Sequence, residues 1–407
     1  MQVVFISNYI NHHQKPFCDA MYQMLGEDFI FVESEPMEAE RKSMGWDINP
    51  SDIPYVRCLY DSDEELEKLI MNADVVMAGW TSKISLVIKR MELNKLTVRI
   101  SERIYREGQW KAVSPRGLKA KYYEHTRFRN ANVYLLCAGA YVASDFNIVR
   151  AYPNKMYKFG YFPPMRTYNL DELFAKKDES GLIEIIYAGR FMSLKHPEYM
   201  IKLAKDLKNE NERRISNKEL LLPEFRIHMV GSGELENELK TMAAELGVEK
   251  NIIFYGFKKP DEVRTIMEKC HIHVFPSNHL EGWGAVVNEA MNSACVVVGS
   301  ALAGAVPFLI KQWDNGVAYP NNDYDKLKTC VIKLMLDGAK RKAMAIRAYE
   351  TITGKWNAEY AAKTLVHMLE CWMSKEKFEL VEGPLSYAPV ISPKRMYSYM
   401  ENGMVIK

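Results

Sequence analysis

The chain has 407 residues, 48% of them hydrophobic and 26% charged, the composition of a soluble globular protein with room for two or three domains. A formal net charge of +2 makes no whole-protein case for a nucleic-acid binder, and no run of about 18 apolar residues is present to span a membrane. Seven cysteines without CxxC or His-spaced pairs fit a reducing cytoplasm, with Cys295 and Cys330 expected as small packed hydrophobes, and the start Met1-Gln-Val-Val-Phe-Ile-Ser7 lacks the basic region of a signal peptide.

In the first half, short apolar runs at 2–7, 29–32, 74–79, 96–101 and 132–138 read as strands, with helical spacing over 15–25 and 62–71. Strands separated by helix-length segments indicate βαβ units and a parallel sheet. Charge is uneven here: residues 1–80 hold 5 Lys/Arg against 15 Asp/Glu, and residues 81–160 hold 16 against 5. Two solvated faces and a basic surface for anionic lipid both fit that split. The segment 106–130 interleaves Trp110, Tyr122, Tyr123 and Phe128 with Lys111, Arg116, Lys119, Lys121, Arg127 and Arg129. It suits an anionic membrane surface or a lipid diphosphate, with a solvated helix pair as the alternative. Cations among aromatics also suit single-stranded nucleic acid, but no recognised binding module accompanies them, so no nucleic-acid partner is expected.

Gly160-Tyr-Phe-Pro-Pro164 cannot continue a helix, and a charged stretch follows. This sets the expected domains: 1–165, a linker at 166–181, a second domain at 182–355, and a returning helix with its tail at 356–407. Strands are expected in the second half at 183–189, 225–230, 252–255, 271–275, 295–299 and 316–319. Helices are expected at 197–208, 234–246, 260–270, from 285, and at about 323–336, 339–352 and 357–374. In doubly wound sheets ligands bind at the carboxyl ends of the strands. Those ends carry Gly189-Arg190, Gly231-Ser-Gly233, Gly256-Phe257, Ser277 to Glu281 and Gly299 to Gly304, with glycine or a small residue at each.

The most informative stretch is Pro276-Ser-Asn-His-Leu-Glu281-Gly-Trp-Gly-Ala-Val-Val-Asn-Glu289-Ala-Met291. A strand, a glycine loop and a helix start form an anion site, because unpaired N–H groups point outward there. Glu281 sits in the loop, and Glu289 lies on the first helical turns, where a carboxylate accepts from paired hydroxyls. A charged loop before an amphipathic helix is the plainer alternative.

Gly189-Arg190 with Lys195, then Val230-Gly-Ser-Gly-Glu234, Phe254-Tyr-Gly-Phe257 and the stretch from Pro276 to Met291 occur in an order that resembles the family 4 retaining glycosyltransferases. The likeness is good over about 183–310; the first half shares only the strand–helix pattern. It implies the GT-B fold: an α/β chain of two Rossmann-like doubly wound domains facing across a cleft, with a C-terminal helix crossing back to the first domain. It also implies a retaining, metal-independent transferase that moves a hexose-type sugar from a nucleotide sugar, with UDP the common base, to a glycan or lipid-linked saccharide in cell-surface polysaccharide synthesis. No cofactor and no metal are expected.

On that resemblance Arg190 and Lys195 bind the diphosphate, where cations stabilise the charge on the leaving nucleoside diphosphate, and Gly189 and Gly231 are further donor-binding candidates. Glu281 meets sugar hydroxyls. The backbone of Gly282, Trp283 and Gly284 cradles sugar and phosphate, Ala285 and Val286 meet phosphate, Glu289 binds the ribose, and the Phe257 backbone touches the base. Glu281, Arg190, Lys195 and Glu102 are the catalytic candidates. Glu102 occupies the place where many relatives carry a histidine; a surface salt bridge to Arg103 or Arg106 is its alternative reading. Asn8, His12, Glu102 and Arg103 are the acceptor-side candidates; Asn8 and His12, with Asn11 and His13 nearby, lie in the loop after the first strand, which lacks the usual glycine pair, and surface histidines are the alternative reading there. His271 and His273 read as packed residues. The expected location is the cytoplasm, with a peripheral position at the inner membrane face through 106–130. A nucleotide-sugar-binding scaffold without transfer and a sugar-nucleotide epimerase remain the alternative functions.

Overall fold

The structure is a computed structural model that describes residues 1–39, 48–379 and 382–402. The backbone forms two units, one of Met1–Pro164 with Lys355–Ser392, the other of Met165–Gly354 with the helix Pro393–Glu401.

The first unit is built on seven parallel strands: β1 (Val3–Ser7), β2 (Phe29–Glu33), β3 (Val56–Cys58), β4 (Val75–Ala78), β5 (Thr97–Ser101), β6 (Val133–Ala138) and β7 (Met156–Phe159). Their order is β3-β2-β1-β4-β5-β6-β7. Every residue of β1 and β4 is buried, as continuous Val/Ile runs predict for a sheet covered on both faces. Two strands escaped the sequence reading. β3 is three residues long with Arg57 and Cys58 exposed, and β7 carries Lys158 in mid-strand, so neither has a clear apolar pattern.

The helix Ala358–Ser374 returns to this unit and packs on the helix Lys15–Leu25. Trp372 fixes it by stacking on Tyr134 of β6 at 3.6 Å between ring centroids and 11° between planes. Beyond it the chain runs antiparallel along β7: the Lys158 N–H donates to the Ser386 carbonyl (2.8 Å) and the Leu385 N–H to the Lys158 carbonyl (2.8 Å). That pairing covers an edge that would otherwise offer unpaired backbone groups.

The second unit holds six parallel strands: β8 (Ile183–Ala188), β9 (Phe225–Val230), β10 (Ile252–Gly256), β11 (Ile272–Phe275), β12 (Val296–Ser300) and β13 (Gly316–Tyr319), in the order β10-β9-β8-β11-β12-β13. The stretch read as a linker, 166–181, contains a helix of this unit, Leu170–Asp178, capped by Asn169. Leu173 and Phe174 join the core, and the buried Lys177 ammonium donates to the Met267 carbonyl at 3.2 Å and to that of Cys270. The prolines just before it had masked a short helix.

The tail also divides differently from the expected 356–407 block. Pro393–Glu401 goes with the second unit, where Glu401 pairs with Lys326 at 3.6 Å and Met396 and Met400 are buried. Residues 380–381 and 403–407 of that block lie outside the described residues.

In each sheet the winding direction reverses once, between β1 and β4 and between β8 and β11. Loops leaving the carboxyl ends of two such strands diverge and leave a crevice for a ligand.

Candidate functional site

At the carboxyl ends of β8, β9 and β10, on one side of the β8/β11 reversal, three glycine loops lie against one another. The Gly189 N–H donates to the Val230 carbonyl (2.9 Å), Phe191 N–H to Ser232 (2.9 Å) and Gly231 N–H to Gly256 (2.9 Å). A Cβ on Gly231 (φ +134°) would stand 2.0 Å from the Gly189 carbonyl oxygen, so this backbone approach requires glycine. Arg190 projects from here, exposed and without a carboxylate partner among the described residues, while its own carbonyl accepts from the Tyr187 hydroxyl at 2.9 Å.

Lys195 ends a single helical turn, Ser193–Lys195. The Asn278 N–H donates to the Leu194 carbonyl at 2.9 Å, which ties this turn to the loop after β11. Across that tie Lys195 and Glu281 form an ion pair, with both side chains mostly buried. The two roles assigned separately from sequence, diphosphate and sugar, thus belong to side chains in direct contact.

The Gly282-Trp283-Gly284 segment presents backbone. Trp283 is 2% exposed; its indole N–H donates to Asn288 Oδ1 at 2.9 Å and its ring packs toward Phe308. Gly284 (φ +94°) lies so close to Phe275 that a Cβ would stand 2.4 Å from the ring. The backbone N–H groups of Gly284, Ala285 and Val286 meet no protein acceptor among the described residues. The helix that follows, Val286–Asn292, has seven residues, so these local N–H groups count for more than an accumulated helix dipole.

Glu289 is half-buried on that helix, and its carboxylate has no hydrogen-bond partner among the described residues. Burial pushes the carboxyl up to about 7, against the opposing pull of Arg264 and Arg166. Those cations are held elsewhere: Arg264 on Ser293 Oγ (3.1 Å) and Asn292 Oδ1 (2.5 Å), Arg166 on Glu268 (2.8 Å) and Asp261 (2.8 Å). Phe257 follows Gly256 with its ring 51% exposed, rather than packed in the core.

In the first unit the acceptor-side candidates separate. Arg103 turns inward to Asp145 (3.2 Å), lies 5.3 Å over the Tyr141 ring, and is buried. Asp145 also accepts from Gln109 (2.8 Å) and the Tyr105 N–H (3.0 Å), so Arg103 completes an internal network and is corrected from an acceptor contact to a structural residue. Glu102 pairs with Arg106 and accepts from the buried Tyr161 hydroxyl at 2.8 Å. The salt-bridge reading of Glu102 is the one present in the structure.

His12 and His13 have touching rings, 3.8 Å between centroids. Burial lowers His12 to about 4 and His13 to about 3, with His12 adding to the second shift, so both are neutral at pH 7. Asn8 accepts from Ser7 Oγ at 3.2 Å through its carbonyl, which leaves its amide N–H groups without a protein partner among the described residues. Sequence reasoning passed over Trp80, which stands 66% exposed at the end of β4. Gly79-Trp80-Thr81 was visible in the chain, but only the sheet order places it beside β1.

Most of the basic segment is open to solvent, but Phe128 is buried and is corrected from a surface aromatic to a core residue. The helix Pro115–Glu124 buries none of its residues, and Trp110, Tyr122 and Tyr123 are exposed. Several of its cations have carboxylate partners, Lys111 with Glu107 and Arg127 with Glu92 at 2.8 Å. No helix among the described residues is long and apolar enough to cross a membrane, and no group of three or more potential metal ligands is gathered among them. His273 is fully buried and His271 is held by Asp178 (3.1 Å) and the Glu184 N–H (3.1 Å), so both are packed residues. A cavity of about 550 Å³ beside Trp313, Lys333 and Lys340 lies at the amino end of β13, away from the glycine loops.

Residues 171–351 match the family model for glycosyl transferases group 1. The matched segment is less than half of the chain, and over it the sequence is similar to that family. An uncharacterized glycosyltransferase of Methanocaldococcus jannaschii is 27% identical over 191 residues, 46% of this chain and 45% of its own. The amylovoran biosynthesis glycosyltransferase AmsK of Erwinia amylovora is 27% identical over 151 residues, 36% of this chain and 37% of its own. The matched stretches therefore span less than half the length of these relatives. The crystal structure of Anabaena HepE in complex with UDP superposes with a TM-score of 0.67, covering 91% of this chain and 100% of that one at 13% identity. At that identity the likeness shows the fold, which is GT-B.

Proposed function

We propose that this group 1 protein transfers a hexose-type sugar from a nucleoside-diphosphate sugar, with UDP as the favoured nucleotide, to a hydroxyl of a glycan or lipid-linked saccharide. One observation carries this reading. The β8/β11 reversal brings together a guanidinium, a Lys–Glu pair, three backbone N–H groups and a carboxyl, of which all but the pair have no protein partner among the described residues. That set matches the parts of a nucleotide sugar. Arg190 and Lys195 take the diphosphate, the N–H groups of Gly284 to Val286 take its oxygens, Glu281 takes sugar hydroxyls and Glu289 the ribose diol. The UDP complex of HepE and the amylovoran role of AmsK support the nucleotide and the polysaccharide setting.

In the proposed reaction the bond from the sugar's anomeric carbon to phosphate oxygen breaks, and the acceptor oxygen bonds to that carbon on the same face, with retention. The acceptor proton passes to the departing phosphate. Arg190 and Lys195 stabilise the charge gathering there without a metal. The exposed aromatic and basic segment 106–130 is the proposed contact with an anionic membrane surface. The deciding experiment incubates the purified protein with a panel of nucleotide sugars and acceptors, following products by mass and anomeric NMR. An inverted product overturns retention. Donor turnover to an isomer without an acceptor would favour an epimerase.

A further inference from the structure

The two sheets share one topological feature, and in the first unit it holds Trp80, for which no role has been given above. The β1/β4 reversal brings the loop after β1 beside Gly79-Trp80-Thr81-Ser82. This edge is firmly held. The Gly79 N–H donates to the Ile6 carbonyl (2.9 Å), Ser34 N–H to the Ser7 carbonyl (2.9 Å), Ser7 Oγ to the Trp80 carbonyl (3.4 Å) and Ser82 Oγ to the Ser34 carbonyl (3.4 Å). A Cβ on Gly79 would meet Ser7 Oγ at 2.7 Å, so the two loops are in close contact.

On this rigid edge Trp80 leaves an indole 66% exposed, with no ring stacked on it among the described residues. A large aromatic surface in water is unfavourable, and a protein that holds one on a fixed backbone at a strand's carboxyl end presents it to a ligand. Beside it on this edge are the exposed Ser82 hydroxyl and, across the buried Ser7 that donates to the Trp80 carbonyl, Asn8, whose amide N–H groups have no protein partner among the described residues. A flat apolar platform beside small neutral donors and acceptors is complementary to a pyranose ring, which has an apolar face of C–H bonds and a rim of hydroxyls. It is a poor match for a bare phosphate, which seeks cations.

We infer that Trp80 is the stacking platform for a pyranose ring of the acceptor, with the Asn8 amide directed to its hydroxyls, so that the acceptor is a saccharide. This deepens the transferase reading and rests on it for the word acceptor; the sugar site itself does not.

The test uses ligand-observed NMR of the whole protein with p-nitrophenyl glucoside, galactoside, mannoside and N-acetylglucosaminide, and with glycerol 3-phosphate as the non-sugar probe. At least one glycoside is expected to bind. Trp80→Ala should weaken it by about tenfold or more, the scale of one aromatic contact, and Trp80→Phe should restore part of it. UDP titration of each variant reports the integrity of the second unit and the donor reading separately. Glycoside binding unchanged in Trp80→Ala, or binding of glycerol 3-phosphate with no glycoside bound, overturns the inference while UDP binding stands. Glycoside binding that depends on Trp80 in a protein that does not bind UDP supports the sugar site and removes the donor reading.

Discussion

Lys195 and Glu281, 86 positions apart, close an ion pair across the loops that leave β8 and β11. Each can grip a ligand only by sharing or exchanging its partner. Under the proposed function, a diphosphate that draws the ammonium away would free the carboxylate for sugar hydroxyls, coupling recognition of the two halves of the donor. Arg190, exposed and unpaired, has no such coupling.

The contrast gives a calorimetric expectation. Arg190→Ala should weaken UDP binding by about 1–3 kcal/mol and leave thermal stability unchanged. Lys195→Ala should weaken it to a similar extent and also lower the melting temperature, because it strands a mostly buried carboxylate. Undiminished affinity in both variants refutes the diphosphate assignment.

Glu281→Gln keeps the size of the side chain and removes its charge. Transfer should fall by about tenfold or more, while circular dichroism and melting stay near those of the parent protein. A fully active variant takes Glu281 out of the site.

Glu289 gives the site a pH dependence of known sign. Its carboxyl is raised from an ordinary 4.5 to about 7. The protonated form therefore favours the fold: its contribution to stability is complete below 4.5 and is lost as pH rises through about 7. Glu289→Gln should stabilise the protein above pH 7 and change little below pH 4.5. If Glu289 holds the ribose diol in its ionised form, as proposed, UDP affinity should drop by about tenfold between pH 8 and pH 6, beyond any dependence that remains in Glu289→Gln. Identical pH profiles for the two proteins would place Glu289 outside the nucleotide contact.

Glycine replacements separate close approach from simple loop geometry. Gly231→Ala puts a methyl 2.0 Å from a backbone oxygen, and Gly284→Ala puts one 2.4 Å from the Phe275 ring. Both should destabilise by several kcal/mol or abolish UDP binding. Gly247→Ala, at φ +64° with nothing within 4 Å, should cost only about 1 kcal/mol. Equal melting temperatures for all three variants contradict the loop packing described here.

Much of the second unit was legible because its strands are uninterrupted Val/Ile runs that end in glycine, so strand ends and loop chemistry could be read together. β3 and β7 were hidden by their length and by Lys158. The candidate donor-side residues Arg190, Lys195, Glu281 and Glu289 were named from the resemblance carried by the ordered motifs, in the loops and the helix that follow β8 and β11. Their mutual geometry could not be read that way: the Lys195–Glu281 contact depends on a backbone bond between Asn278 and Leu194. Arg103 was misplaced because its partner, Asp145, is 42 residues away on another element. Trp80 went unnoticed because its importance lies in sheet order, which chain order does not reveal.

The stacking of Trp372 on Tyr134 also sets an order of events during synthesis. The ring it covers is translated more than two hundred residues earlier, and the whole β8–β13 sheet is made in between. That sheet can close as soon as it emerges, lacking only the outer helix Pro393–Glu401. The unit that leaves the ribosome first must wait, with β7 uncapped and Tyr134 bare, until Trp372, Leu385 and Ser386 have been added.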